Sequence, residues 1–88
     1  MNQEYDVQLS FEELVHACDN DRQWVVSLIE ENAISISGEP HLATFSGYQL
    51  ARVRRAHRLH RDFDASAAAA ALILELLDEL EELRKLNN

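Results

Sequence analysis

Two histidines and one cysteine are the side chains best suited to chemistry. His57 and His60 stand three positions apart in "HRLH", a spacing at which two imidazoles on one helix face share a metal ion. No acidic ligand accompanies them at motif spacing, and both fall on the apolar side of their segment, so histidines of the core or its boundary are expected. Cys18 is expected to be a small buried apolar residue. We predict no metal site and no cofactor.

The remaining motifs do not indicate catalysis. No serine stands in a nucleophile motif, and the two glycines form no phosphate-binding loop, so we predict that the protein is not an enzyme. The single cysteine cannot form an internal disulfide, which is typical of a reduced compartment. The start of the chain lacks the pattern of a secretory signal, and the longest apolar run, 67–74, is far short of the roughly 20 residues of a membrane span. A cytoplasmic protein without membrane contact is therefore expected.

An arginine cluster occupies "ARVRRAHRLHRDFD", residues 51–64. On a helix, four arginines share the solvent half and the fifth, Arg52, lies at the boundary; the four are Arg54, Arg55, Arg58 and Arg61. The apolar half carries Leu50, Val53, Ala56, His57, His60 and Phe63. Guanidinium forks suit phosphate and carboxylate, so the cluster is either a binding strip or a surface that pairs with the chain's own acidic helices. We expect the second, with Arg54, Arg58 and Arg61 bound to carboxylates within the chain or across a dimer.

The rest of the chain is acidic. Residues 1–39 hold nine acidic side chains and one basic one, a net of −8, which equals the net charge of all 88 residues. A chain this acidic is repelled by the phosphates of DNA, so we expect no direct DNA binding. A basic protein partner is the better electrostatic match.

The first half of the chain predicts a strand and two helices. "YDVQLS" alternates apolar and polar residues, with Tyr5, Val7 and Leu9 on one face of a strand. Ser10 and Glu13 form a capping box for a helix to about Ala17. Its buried residues are Phe11, Leu14 and Val15. Asp19 or Asp21 caps the second helix, "RQWVVSLIEE", whose core residues are Val25, Leu28 and Ile29, and Asn32 suits the left-handed residue at its end.

The second half predicts a hairpin and two helices. Ile34 and Ile36 form one strand, "GEP" the turn, and residues 42–45 the return strand. Ser46 and Gln49 cap a helix to about Asp62, and Asp64 or Ser66 caps a last helix to about Leu86. Two short helices across a tight turn followed by a β-wing predict a mainly α winged helix-turn-helix with a long C-terminal dimerisation helix. We expect one domain, 1–88, with a head at 1–63 and the C-terminal helix at 64–88.

The last helix also predicts self-association. Its apolar residues are spaced by three, four and three positions, a coiled-coil seam for a homodimer. The seam residues are Ile73, Leu76, Leu80 and Leu83. A monomer with a frayed tail is the alternative.

Two apolar residues of the second helix are candidate anchors for a partner. Trp24 lies at the edge of the row of core residues and is either an aromatic residue of the core or a binding anchor. Val26 points away from the core. Together with the nearby carboxylates they form our predicted partner-binding set. Its members are Glu12, Glu13, Asp19, Asp21, Trp24, Val26, Glu30 and Glu31.

The sequence resembles a known family. "VQLSFEELVHAC" and "WVVSLIEENAI" are similar to the helix-turn-helix head of MerR-type regulators, and "RRAHRLHRDFD" followed by "LLDELEELR" resembles the CbpM family of chaperone modulatory proteins. The resemblance implies a protein that binds the J-domain of a CbpA-type co-chaperone and inhibits both its cooperation with Hsp70 and its DNA binding. Val26 and Ser27 stand where MerR regulators carry arginine and tyrosine, which weakens the alternative of a DNA-binding transcriptional regulator. Ala43 stands where the family often has a wing tryptophan.

Overall fold

The computed structural model describes residues 8–87. The order of elements is β1 (Gln8–Ser10), α1 (Phe11–Ala17), α2 (Arg22–Glu30), a 3₁₀ turn (Pro40–Leu42), β2 (Thr44–Ser46), α3 (Gly47–Phe63) and α4 (Ala67–Leu86). The predicted fold class is confirmed, because the chain is mainly helical with one small antiparallel sheet. Tyr5 and Val7 of the predicted first strand lie outside the described residues.

Side-chain caps set where the helices begin. Ser10 with Glu13, and Ser46 with Gln49, form the two predicted capping boxes at the starts of α1 and α3. At the two starts with alternative candidates, Asp21 caps α2 and Ser66 caps α4. The rejected candidates, Asp19 and Asp64, have left-handed backbones with φ of 56° and 58°, which place them outside a helix start. Asn32 is also left-handed, as predicted, with φ of 62°.

The strand pairing differs from the predicted hairpin. β2 pairs antiparallel with β1, which places Leu9 opposite Phe45, and residues 34–36 are not a strand. Ile34 is buried and Ile36 is packed against the core, so their alternation reflects burial from an irregular segment rather than strand pairing. Pro40 begins the 3₁₀ turn, which includes Leu42, so the predicted return strand is extended only from Ala43 and paired from Thr44. The predicted wing strand at Ile34 and Ile36 is therefore wrong.

The core lies where α1, α2, α3 and β2 meet beneath the first half of α4. It contains the predicted core residues of α1, together with Val25 and Leu28 of α2 and Val53 and Ala56 of α3. Ala70 and Leu74 cover it from α4. Phe63, predicted on the apolar half of α3, is 76% exposed because it is the last residue of the helix and lies beyond the packed surface.

The second half of α4 extends beyond this core. From Glu75 to Asn87 every described residue except Asp78 is exposed. Between residues 8 and 87, no helix has the length and apolarity to cross a membrane. The division into a head at 1–63 and a C-terminal helix at 64–88 stays a prediction.

Candidate functional site

Three of the six predicted partner-binding carboxylates are engaged within the chain. Both oxygens of Glu12 accept hydrogen bonds from Arg22, at 2.7 and 2.8 Å, and these bonds lower the pKa of Glu12. Glu13 completes the capping box of α1, and Asp21 accepts a hydrogen bond from the backbone N–H of Trp24 at 3.1 Å. A partner would have to displace these bonds to use the three carboxylates.

The other three predicted carboxylates are exposed but do not form one patch. Asp19 lies in the turn between α1 and α2, whereas Glu30 and Glu31 lie at the end of α2. The nine residues of α2 separate the two groups by about 13 Å, at 1.5 Å of rise per residue. The acidic surface of α2 therefore consists of exposed carboxylates at the two ends of the helix.

Trp24 is a residue of the core and not an exposed anchor. It is 6% exposed and stacks on His60 with 4.3 Å between ring centroids, while His57 meets it edge-on at 6.4 Å. Its indole N–H is buried and has no hydrogen-bond partner among the described residues. The anchor hypothesis for Trp24 is therefore wrong. Val26 is partly exposed, as its position on the helix predicts.

The two histidines of "HRLH" are structural. Nδ1 of His60 lies 2.9 Å from the carbonyl oxygen of Ala65, a geometry in which the nitrogen carries the proton and donates it. His57 has a side chain only 12% exposed, with Nε2 3.9 Å from a carboxylate oxygen of Asp19. Residues 8–87 contain no group of three or more metal-ligating side chains that could hold an ion.

Cys18 is buried among apolar side chains, as predicted. Burial, followed by the neighbouring charges of Asp19 and Asp21, raises the pKa of its thiol to about 11. The thiol is therefore neutral near pH 7.

Cys18 should consequently resist thiol reagents in the folded protein. At pH 8 we expect labelling by a chromogenic disulfide reagent to be at least about tenfold slower than in urea, because the thiolate is scarce and shielded. The absorbance time course with and without urea measures this. Equal rates in both conditions would contradict the burial of Cys18.

The arginine cluster divides into fixed and free side chains. The Nε–H of Arg52 donates to the carbonyl oxygen of Ala33 at 2.8 Å, and its Nη1 donates to both oxygens of Asp78, which ties α3 to α4. Arg61 donates to Asp62, its neighbour in α3. Arg54, Arg55 and Arg58 form no ion pair within residues 8–87.

Within the part of the chain that the structure describes, the predicted pairing inside the chain is therefore not found for Arg54 and Arg58, and pairing across a dimer stays a prediction. Glu12, Glu13 and Asp21 bind Arg22 or serve as caps, and Asp19, which lines the same depression as Arg54 and Arg58, forms no ion pair with either. The boundary position of Arg52 was the signal in the sequence for its interhelical role, which the prediction missed.

α4 presents a second apolar face, directed away from the core. Four leucines on it are exposed: Leu72 at 55%, Leu76 at 54%, Leu80 at 48% and Leu83 at 57%. They lie on the side of α4 opposite Ala70 and Leu74, and Ile73 is partly buried beside them. Exposed apolar surface of this extent and continuity is typical of a protein interface.

Comparisons with known proteins identify the family. A family model described as "MerR HTH family regulatory protein" matches residues 9–88, almost the whole chain. No curated protein and no solved structure matches the chain.

Proposed function

The chain belongs to the MerR HTH family of regulatory proteins, and from this premise we propose that it regulates by binding a protein rather than DNA. The proposed partner is the J-domain of a CbpA-type co-chaperone in the cytoplasm. By covering the J-domain, the protein inhibits the co-chaperone's cooperation with Hsp70 and its DNA binding. The resemblance of α3 and α4 to the CbpM family supports this choice.

The main support for the proposal comes from the charged side chains of α2, the helix that would contact the bases of DNA. Its one cation is Arg22, which binds Glu12 through two hydrogen bonds and lies 5.5 Å from the ring centroid of Phe11. Non-specific binding of DNA needs free cations for the phosphates, and the commonest specific contact is made by arginine or lysine to guanine. With Arg22 neutralised, α2 offers a surface without a free cation, on which Gln23 is an exposed uncharged donor.

That surface suits a basic protein helix. Asp19, Glu30 and Glu31 are exposed at the two ends of α2, and partly exposed Val26 lies between them. The family resemblance implies that the docking surface of a J-domain is a basic helix. Opposite charges of this kind accelerate association and align the partners.

We propose that the active form is a homodimer. The exposed leucine face of α4 would be buried by α4 of a second copy, which leaves the acidic surfaces along α2 free for two partners.

A second candidate function is a MerR-like DNA-binding regulator. The family match and the unpaired Arg54, Arg55 and Arg58 favour it. Gel-shift experiments at low salt separate the two candidates, since tight and sequence-dependent binding of a duplex would select the regulator.

The proposal predicts that charge reversal at the free carboxylates weakens J-domain binding. For the double variant Glu30→Lys/Glu31→Lys we expect about tenfold weaker affinity at low salt, because two attractive pairs become repulsive. Isothermal titration with the isolated J-domain measures this. The residue Asp21 is unsuited to the test because it caps α2.

The matched control is Glu39→Lys/Glu82→Lys, which changes the net charge equally on exposed residues outside α1 and α2. Equal affinity for both double variants would place the binding surface elsewhere. Absence of wild-type binding would reject the proposed function.

A further inference from the structure

Three arginines of α3 lie beside the acidic surface, and of these Arg61 also donates to Asp62. Arg54, Arg58 and Arg61 line one edge of an open depression of about 230 Å³. Its other edge is formed by the turn after α1, where Asp19 is located, and His57 also lines it. The side chain of Asp19 is 79% exposed. One concave surface therefore carries three guanidinium groups and one exposed carboxylate, which lies 3.9 Å from Nε2 of His57.

The closeness of these arginines to one another is electrostatically unfavourable in the isolated chain. Arg54 and Arg58 are four positions apart and Arg58 and Arg61 three, spacings at which like charges destabilise a helix. Arg54 and Arg58 have no ion-pair partner within residues 8–87, although the chain as a whole carries a net charge of −8. An anionic group from outside would relieve this repulsion.

Arg54, Arg58 and Arg61 form a strip along α3. The length and surroundings of this strip limit the kind of anion that it can bind. From Arg54 to Arg61 the strip extends about 10 Å along the helix, a distance spanned by two or three carboxylates of a short segment. A nucleic acid duplex carries one charge per roughly 1.7 Å and would extend over Asp19 and the acidic surface of α2. The observations therefore favour a short acidic segment of a protein.

We propose that Arg54, Arg58 and Arg61 bind a carboxylate-bearing segment of the same partner whose basic helix docks along α2. This inference rests on the proposed function. Guanidinium groups bind carboxylates through paired hydrogen bonds. The arginine strip would therefore favour one orientation of the bound partner. A partner with a basic helix and an adjacent acidic segment fits in one orientation only, since the reverse orientation opposes like charges at both places.

The test is titration of the isolated J-domain with the full chain and its Arg54→Gln/Arg58→Gln variant. We expect the variant to bind about tenfold more weakly at low salt and the difference to shrink as salt rises. The matched control is Arg55→Gln/Arg84→Gln. Arg55 is exposed and unpaired on the same helix but lies outside the depression. Affinity of the control should stay within about twofold of wild type.

The outcomes separate the inference from the function on which it rests. If wild type and both variants bind the J-domain equally, the inference fails and the proposed function stands. If wild type does not bind, both fail. A parallel gel-shift with duplex DNA completes the experiment: tight binding by wild type that is lost in Arg54→Gln/Arg58→Gln would assign the strip to nucleic acid and overturn the inference.

Discussion

Replacement of Trp24 by alanine is expected to lower the free energy of unfolding by about 3–5 kcal/mol. Trp24 is 6% exposed and stacks on His60, so its removal leaves a cavity between α2 and α3 that rigid helices fill only in part. A domain of 88 residues has roughly 4–13 kcal/mol of stability, and the loss is therefore a large share of it. Urea denaturation followed by far-UV circular dichroism measures the change.

The controls distinguish a core residue from a binding anchor. Val26→Ala, at a partly exposed position of the same helix, should reduce stability by no more than about 1 kcal/mol. Trp24→Phe keeps an aromatic ring on His60 and should retain most of the stability and full J-domain binding. If Trp24→Ala left stability unchanged and reduced only partner affinity, the assignment of Trp24 to the core would be wrong.

The second large effect is expected at the exposed leucine face of α4. Replacement of Leu76, Leu80 and Leu83 by serine should weaken dimerisation by at least about 100-fold, because each leucine contributes on the order of 1 kcal/mol or more when buried. All three are exposed within one chain, so the fold of the monomer should survive. Sedimentation equilibrium gives the dimer dissociation constant, and circular dichroism reports the fold.

Serine substitutions on another face of α4 provide the control. Glu75→Ser/Glu82→Ser/Lys85→Ser introduces the same three serines at exposed positions on the flank of α4 away from the seam. This variant should remain dimeric. A wild-type protein that sediments as a monomer at micromolar concentration, or a leucine variant that remains dimeric, would exclude the proposed interface.

The helix ends were predictable because they depend on neighbours within a few positions. Ser10, Ser46 and Asn32 have the expected cap or backbone conformation, since each is determined by its own turn of chain. The partner of β2 depends on a contact between positions 9 and 45, and alternating isoleucines before it gave a misleading local signal. The error arose because the two paired strands are far apart in the sequence, and not because the strand propensity of either segment is weak.

The candidate site was predictable in charge but not in geometry. The sequence alone indicated an acidic first half and a separate arginine cluster. Whether Trp24 was exposed depended on His57 and His60, which approach it from a helix more than thirty positions later. Likewise, helical periodicity does not specify the pairing of Arg22 with Glu12, which lies ten positions earlier on a different helix.

We propose above all that this protein inhibits a J-domain co-chaperone. The most direct measurement is the ATPase rate of Hsp70, stimulated by a CbpA-type co-chaperone, as the protein is added. We predict that stimulation falls to the unstimulated rate near one chain per J-domain, while the basal rate of Hsp70 without co-chaperone stays unchanged. Full stimulation in the presence of excess protein would contradict inhibition of the co-chaperone.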